Sequence, residues 1–449
     1  MTTARRVAYD VLTAVDQDDA YANLVLPQQL RSAGLSPRDA ALATELSYGT
    51  LRMQGWYDAI IDQVSSRPLD RIDPAVLRLL RLGAHQLLTM RTSTHAAVSE
   101  TVELSRRVGV GSAAGFINAT LRRISERSDD EWRALAIESL DPDEARDTLS
   151  SHPSWIVDEF ERALSRSNRG EEIDALLAAD NANPAVNLVL LPGFEHAAAP
   201  GVPNRFSPFG AALERGNPAL ATQASGVRVQ DEGSQLAALA LSRVHPAEPG
   251  ERWLDLCAGP GGKAALLAAE ARQVNAQLIA NEVSPHRADL VRSALLPVDS
   301  SVEVRVGDGR DYPQPNESFD RILLDAPCTG LGALRRRPEA RWRKHPDDVA
   351  ELADLQRQLL ESALGALSEQ GVLAYVTCSP VLDETTEQIQ RLLDAKQARL
   401  LDTAAVLDGV ALEPLQAAVH FPGTDGSAVQ LWPQQHHTDA MFVALLQRA

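Results

Sequence analysis

The stretch Arg252-Trp253-Leu254-Asp255-Leu256-Cys257-Ala258-Gly259-Pro260-Gly261-Gly262-Lys263 decides the fold. Its apolar start reads as a buried strand. The three glycines permit a tight turn that brings backbone close to a ligand. The run Ala264-Ala265-Leu266-Leu267-Ala268-Ala269 then reads as a helix. Strand, glycine turn and helix in that order are the opening of a nucleotide-binding α/β unit. It is not a Walker A loop, because Cys257 stands where that loop needs glycine and Ala264 where it needs Ser or Thr.

Outward from this turn the rhythm repeats. Strand candidates lie at 252–256, 277–281, 302–306, 320–325 and 371–377. Helix candidates lie at 263–272, 285–295, 347–368 and 383–396. Alternation of this kind predicts a Rossmann-like domain over 231–449 with a mostly parallel, doubly wound sheet. Upstream, residues 1–128 read as an all-α domain. Apolar positions recur at helical spacing in Val7-Ala8-Val11-Leu12-Val15 and Val76-Leu77-Leu79-Leu80-Leu82, and Ser36-Pro37 and Asp73-Pro74 look like helix starts. The charged stretch Glu126-Arg127-Ser128-Asp129-Asp130-Glu131 opens what reads as a linker, 129–152. Residues 153–230 read as a small module, helical to about 180 and then α+β. In its second half Asn183-Pro184, Pro192-Gly193, Pro200-Gly201 and Pro208-Phe209-Gly210 interrupt short apolar runs.

Bulk composition narrows the class. A 44% hydrophobic share fills real cores, and a 4% aromatic share makes those cores aliphatic. No run approaches the ~20 apolar residues of a membrane span, and the start Met1-Thr2-Thr3-Ala4-Arg5-Arg6 is not followed by a secretory apolar stretch. The three cysteines, Cys257, Cys328 and Cys378, form neither a disulfide framework nor a zinc pattern. A cytoplasmic, metal-free monomer is expected. The net charge of -18 argues against a general nucleic-acid coat. In residues 1–130, however, 15 arginines balance 15 Asp and Glu, so the acid excess lies downstream. Arg335, Arg336, Arg337, Arg341, Arg343 and Lys344 form a basic cluster that would suit phosphate contacts, or would simply be a solvated face. Trp342 inside it would stack on a base or pack.

Two sets of residues carry chemistry. On the cofactor side, Cys257, Ala258, Gly259, Pro260, Gly261, Gly262 and Lys263 form the loop. Glu282 follows at the next strand end, at a spacing that suits ribose hydroxyls. Asp308 ends the third strand and would accept from an adenine amino group. Nothing marks a second nucleotide half, so S-adenosylmethionine fits better than NAD. On the thiol side, Asp325-Ala326-Pro327-Cys328-Thr329-Gly330 and Thr377-Cys378-Ser379-Pro380 each follow a strand candidate. Two thiols beside a carboxylate suit attack on an electron-poor ring. One thiolate would add to C6 of a cytosine, Asp325 would bind the N3 edge, and C5 would take a methyl group. The second thiol would help release the product. Lys263 would reach the base or pair with a nearby acid. Buried core cysteines and a disulfide switch are the competing readings. The residues alone do not say which thiol attacks. A base must leave its stack to reach such a site.

At these motifs the chain resembles the RNA cytosine-C5 methyltransferases of the Sun/Nop type, and in particular the RsmB (Sun/Fmu) type of bacterial rRNA enzymes. The resemblance rests on Gln230-Asp231-Glu232-Gly233-Ser234-Gln235, the loop Cys257 to Lys263, and the Cys328 motif with Arg335-Arg336-Arg337-Pro338-Glu339-Ala340-Arg341-Trp342. Thr377-Cys378-Ser379-Pro380 with Glu384 completes it. Residues 1–125 resemble the NusB-type helical RNA-binding domain through Tyr48-Gly49-Thr50-Leu51-Arg52, His95-Ala96-Ala97-Val98-Ser99-Glu100 and Phe116-Ile117-Asn118-Ala119-Thr120-Leu121-Arg122-Arg123. The resemblance implies that Cys378 attacks C6, Cys328 helps release, Asp325 contacts the base, and the loop with Glu282 and Asp308 holds S-adenosylmethionine. It implies small-subunit (16S) rRNA as substrate. The same chemistry on tRNA, or a non-catalytic NusB-like RNA-binding factor, are the alternatives. Near the C-terminus the family often has Asp-Gly-Phe-Phe, where this chain reads Asp439-Ala440-Met441-Phe442.

Overall fold

The computed structural model describes residues 3–90, 92–194, 201–213, 218–222, 224, 226–312, 314 and 317–449. Met1, Thr2 and Pro200, which entered the sequence reading, lie outside them. The chain divides into two compact units: Met1–Asp158 with Asp180–Ala182 and Leu334–Arg343, and Glu159–Ala179 with Asn183–Ala333 and Lys344–Ala449.

The first unit is all-helical. Its helices are α1 (Ala4–Gln17), α2 (Ala22–Ala33), α3 (Pro37–Arg52), α4 (Gln54–Val64), α5 (Pro74–Leu88), α6 (Thr94–Arg107), α7 (Ala114–Ile124), α8 (Asp129–Ser139) and α9 (Pro142–Ser150). The two expected starts are real. Ser36 accepts from the Asp39 N–H and Asp73 from that of Ala75, each with proline in the first turn. Val7, Val11, Leu46, Trp56, Leu79, Leu80, Ile117 and Leu121 share one core.

The expected linker 129–152 is folded instead. Its acidic residues are helix-start chemistry. Ser128 and Glu131 form a reciprocal capping box on α8, and Asp141 caps α9 ahead of Pro142. Carboxylates in a first turn also face the positive end of the helix dipole. Trp132 of α8 is buried in the core of the unit.

The second unit holds two sheets. A four-stranded antiparallel sheet, order β2-β3-β1-β4, comprises β1 (Val186–Leu190), β2 (Val202–Pro203), β3 (Gly210–Leu213) and β4 (Val227–Val229). This is the expected α+β module. Val189, Leu191 and Phe206 share a core with helices Glu232–Ser242 and Gly262–Gln273, so no core boundary falls at 230. The nine-stranded main sheet contains β5 (Arg252–Asp255), β6 (Gln277–Glu282), β7 (Glu303–Val306), β8 (Phe319–Asp325), β9 (Leu367–Thr377), β10 (Ala398–Leu400), β11 (Ala418–His420), β12 (Ser427–Gln430) and β13 (Phe442–Arg448). Its order is β11-β12-β13-β9-β8-β5-β6-β7, with β10 also on β13. Strands β9-β8-β5-β6-β7 are parallel and the C-terminal strands antiparallel. Alternate residues feed opposite faces. Leu323, Val372, Ala374 and Val376 enter one core, while Ile322, Leu324, Leu373 and Tyr375 enter the other. Strand order reverses between β5 and β8, which makes their carboxyl ends the switch point where such sheets bind ligands.

Leu334–Arg343 folds with the helical unit although it lies in the chain between β8 and β9. This corrects the phosphate-contact expectation for Arg335, Arg341 and Arg343. Arg335 and Arg341 are buried. The Arg341 guanidinium donates to the carbonyls of Arg52 (2.9 Å), Ser151 (3.3 Å) and Asp180 (3.0 Å) and to Asn181 Oδ1 (2.8 Å). Arg52 ends α3, Ser151 caps α9, and Asp180 ends the helix Ile173–Asp180. Three carbonyl-rich helix ends thus meet one planar cation. Arg343 donates to the carbonyls of Val15 and Ala20, each at 2.6 Å. Arg337 lies over the Tyr21 ring, and Trp342 packs on Gly55. Arg336 and Lys344 are half-buried. A cluster in sequence does not reveal carbonyls supplied by residues 15–180, so the arginines read as a surface group. Truncating Arg341 orphans several buried acceptors. Arg341→Ala is expected to lower unfolding stability by about 3 kcal/mol or more. Arg341→Lys should restore only part, because a single ammonium cannot span the fork. Urea unfolding of the three proteins checks this; equal midpoints would contradict it.

Candidate active site

The glycine loop leaves β5 at Asp255 and enters the helix Gly262–Gln273. Asn281, on β6, ties three strand ends together: its side-chain amide donates to the carbonyls of Leu256 and Gly307, and its own carbonyl accepts from Ala258. Glu282 accepts from the backbone of Gly259 and Ser284, each at 3.0 Å. A Cβ on Gly259 would lie 2.3 Å from Glu282 Oε2, so only glycine lets the loop reach this carboxylate. Asp308 caps the turn after β7 and pairs with Arg310 at 2.6 Å. Hydrogen bonds from Arg310 hold its carboxyl below the usual range. Exposed Val283 and Val306 flank the two acids. Carboxylates at successive strand ends, apolar surface beside them and a glycine cradle fit a small adenosine cofactor.

Lys263, in the first turn of that helix, meets Asp325 at the end of β8, with Nζ 2.8 Å from Oδ2. This bridges the switch point. Burial pushes the Lys263 ammonium down, but the Asp325 charge and hydrogen bond, with Cys378 and Asp255 nearby, outweigh it and hold its pKa above the ordinary value. Of the two sequence readings for Lys263, the ion pair is the one formed. Asp255, at the end of β5, is buried; burial and then the Asp325 charge push it up to about 8.

The thiols come together as the strand-end motifs implied. Parallel pairing sets Asp325 of β8 opposite Val376 of β9. Cys328 and Cys378 follow those strand ends with their Sγ atoms 3.6 Å apart. Both are half-buried. The hydrogen bond to Cys378, then burial, pushes the Cys328 thiol well up. Desolvation and then the Asp255 charge raise the Cys257 thiol too, which leaves it a loop residue rather than a reactive one. Gly332 donates to the Cys378 carbonyl and accepts from Ala440, and a Cβ there would lie 2.2 Å from the Ala440 carbonyl oxygen. Ala440, which stands where relatives often have glycine, does not take a positive φ, so alanine fits that turn.

The sequence reading gave no role to Gln356, Tyr375 or Arg287, and Glu384 and Glu232 entered it only within motifs. Glu384, Gln356 and Tyr375 are fully buried beneath the thiols. Glu384 was legible only as part of a motif, because its acidic neighbour Asp383 makes the pair look solvated. Arg287 lies 3.5 Å from Glu282, and its guanidinium donates to the Gly259 carbonyl. Glu232, in the quoted 230–235 motif, accepts from the backbone of Phe206 and Ser207, which pins the small module to the helix Glu232–Ser242.

The chain was compared with known proteins. Residues 243–447 match the family model "16S rRNA methyltransferase RsmB/F", and residues 2–126 match the NusB family. The chain is 47% identical over 460 residues to Rv1407, a Mycobacterium tuberculosis protein of the methyltransferase class, covering 99% of this chain and 96% of that one. It is 32% identical over 406 residues to the ribosomal RNA small subunit methyltransferase B of Escherichia coli, covering 87% and 89%. The crystal structure of PH0851 shares the fold at a TM-score of 0.79 and 22% identity, over 98% of this chain and 97% of that one. With a NusB-family helical domain ahead of a Rossmann-like domain that carries the glycine loop and both thiols, the chain belongs to the RsmB/F family of S-adenosylmethionine-dependent rRNA methyltransferases.

Proposed function

We propose that this enzyme methylates C5 of a cytosine in 16S rRNA through a covalent bond between Cys378 and C6. The observation that carries this reading is the 3.6 Å thiol pair beside the Lys263–Asp325 ion pair at the switch point. The loop Cys257 to Lys263 with Glu282, Asp308 and Asp325 would hold S-adenosylmethionine, which supplies a methyl group on cationic sulfur.

The chain's own groups divide the remaining work. The hydrogen bond to Cys378 and burial oppose ionisation of Cys328, which favours Cys378 as the attacking thiol. The Lys263 ammonium, which feels the Cys378 charge, favours that thiolate. The Cys378 sulfur adds to C6, which makes C5 electron-rich. Asp325 would accept from the exocyclic amino group at the N3 edge of the ring and so hold the base. After C5 is methylated a base takes the C5 proton, that bond's electron pair forms the C5–C6 double bond, and the C6–S bond breaks with Cys378 leaving as thiolate. Cys328, next to the departing sulfur, assists that elimination. With Asp255 protonated at neutral pH, a single carboxylate, Asp325, faces Lys263 rather than two.

The helical unit and the small module would grip RNA, and Arg336, Arg337 and Lys344, each half-buried, would reach its phosphates. Among the described residues no helix is long and apolar enough to cross a membrane. We place the enzyme in the cytoplasm, as a monomer that needs no metal for thiolate chemistry. Match to the small-subunit enzyme of Escherichia coli favours rRNA over tRNA.

Bisulfite sequencing of rRNA and tRNA from cells with and without the gene tests the substrate. Loss of one cytosine mark in 16S rRNA is expected. Loss confined to tRNA would redirect the reading, and survival of every mark would sink it. A second expectation concerns Asp255. Its folded pKa is raised from 3.8 to about 8, so the native state keeps a proton that the unfolded chain releases. Stability should therefore fall as pH rises through that window. Asp255→Asn removes the titration and should gain melting temperature over wild type toward pH 8. Parallel melting profiles from pH 5 to 8.5 would contradict it.

A further inference from the structure

Beneath the thiols lies a buried carboxylate that the chemistry above does not use. Glu384 is fully buried, and its neighbours Thr329, Ser379, Gln356 and Tyr375 are buried too. Thr329 directly follows Cys328, and Ser379 directly follows Cys378. Glu384 Oε1 accepts from the Thr329 N–H at 2.7 Å, and Oε2 accepts from the Thr329 hydroxyl at 2.6 Å. The Thr329 and Ser379 hydroxyls lie 3.2 Å apart, and Ser379 Oγ accepts from the Val381 N–H at 3.2 Å. The Val381 N–H donates to Ser379 Oγ, the Thr329 hydroxyl donates to Glu384, and the Ser379 side chain hydrogen-bonds to Glu384 as well. Gln356 Nε2 donates to Glu384 Oε1 (3.3 Å) and to the Pro327 carbonyl (2.8 Å), so it also holds the residue before Cys328. Tyr375 closes the set by donating to the Glu384 carbonyl at 2.7 Å.

A carboxylate placed without solvent is costly unless several donors converge on it. Here the donors come from both cysteine loops, so each loop's position is a condition for the other's. We propose that Glu384 is a positioning residue that clamps the Cys328 and Cys378 loops together and so sets the thiol-to-thiol distance needed for product release. The proposal rests on the reading of the two cysteines given above. A glutamine in its place keeps the shape but presents an amide N–H₂ to one of the Thr329 donors, which pushes the Cys328 loop away.

The test pairs turnover with a readout that needs neither RNA nor cofactor. Diamide takes one hydrogen from each thiol and becomes the hydrazine as the S–S bond forms; mass spectrometry of the Cys328–Cys378 linked peptide gives the rate. In Glu384→Gln the cross-linking rate should fall. Turnover should drop roughly 10²-fold, the scale of a displacement of about 1 Å, with KM for RNA little changed. Thr329→Val should shift both in the same direction to a smaller extent, and Thr329→Ser should restore them. If Glu384→Gln melts lower yet keeps wild-type cross-linking and turnover, Glu384 is only a stability residue and the proposal is overturned. Slower cross-linking in a family of variants whose wild type methylates no RNA would uphold the clamp and overturn the functional reading instead.

Discussion

Parallel pairing of β8 with β9 is the constraint on which the site depends. It sets Asp325 beside Val376 and brings two loops that are 50 residues apart in sequence to a 3.6 Å thiol contact. A one-residue slip would turn Leu324 and Tyr375 toward the opposite core and separate the thiols. Both strands are central, apolar on both faces, and buried along most of their length, which specifies their register. The antiparallel strand β13 then covers the outer edge of β9, so the thiol-bearing strands do not sit at an edge.

Charge at the switch point is organised around that pairing. Lys263 comes from the helix after the glycine loop and Asp325 from the end of β8, so the ion pair joins the cofactor side to the thiol side. Asp255 beneath them carries a proton at neutral pH, because burial and Asp325 both oppose its ionisation. The result is one ammonium, one carboxylate and two thiols in contact, with ionisation of Cys328 opposed by its hydrogen bond to Cys378 and by burial. The donors that converge on Glu384 hold the geometry from below.

Much of this was legible in sequence. Apolar runs and the glycine turn located the parallel strands, all within a residue or two except β9, which starts four residues before the expected 371, because strands buried on both faces leave apolar runs and turns leave glycine and proline. Asp325, Cys328, Cys378, Glu282 and Asp308 were legible because strand-end position is a local property. The failures were failures of locality or of reading. Acidic residues 129–131 looked like a linker, yet they form the first turn of α8, where Glu131 completes a capping box with Ser128. Arg341 looked like a phosphate ligand, yet its partners are carbonyls at three helix ends far away in the chain. Glu384 carries no local mark of burial, since its donors arrive from residues 329, 356 and 379.

The central claim is the division of labour between the thiols. Its most direct measurement is denaturing electrophoresis of the purified protein incubated with substrate RNA and S-adenosylmethionine, for Cys378→Ala and Cys328→Ala. The account predicts that Cys328→Ala accumulates a denaturation-resistant protein–RNA complex, because the C6–S bond forms and is not released, while Cys378→Ala forms none and transfers no methyl group. A complex trapped by Cys378→Ala and absent from Cys328→Ala would reverse the assignment and contradict the account.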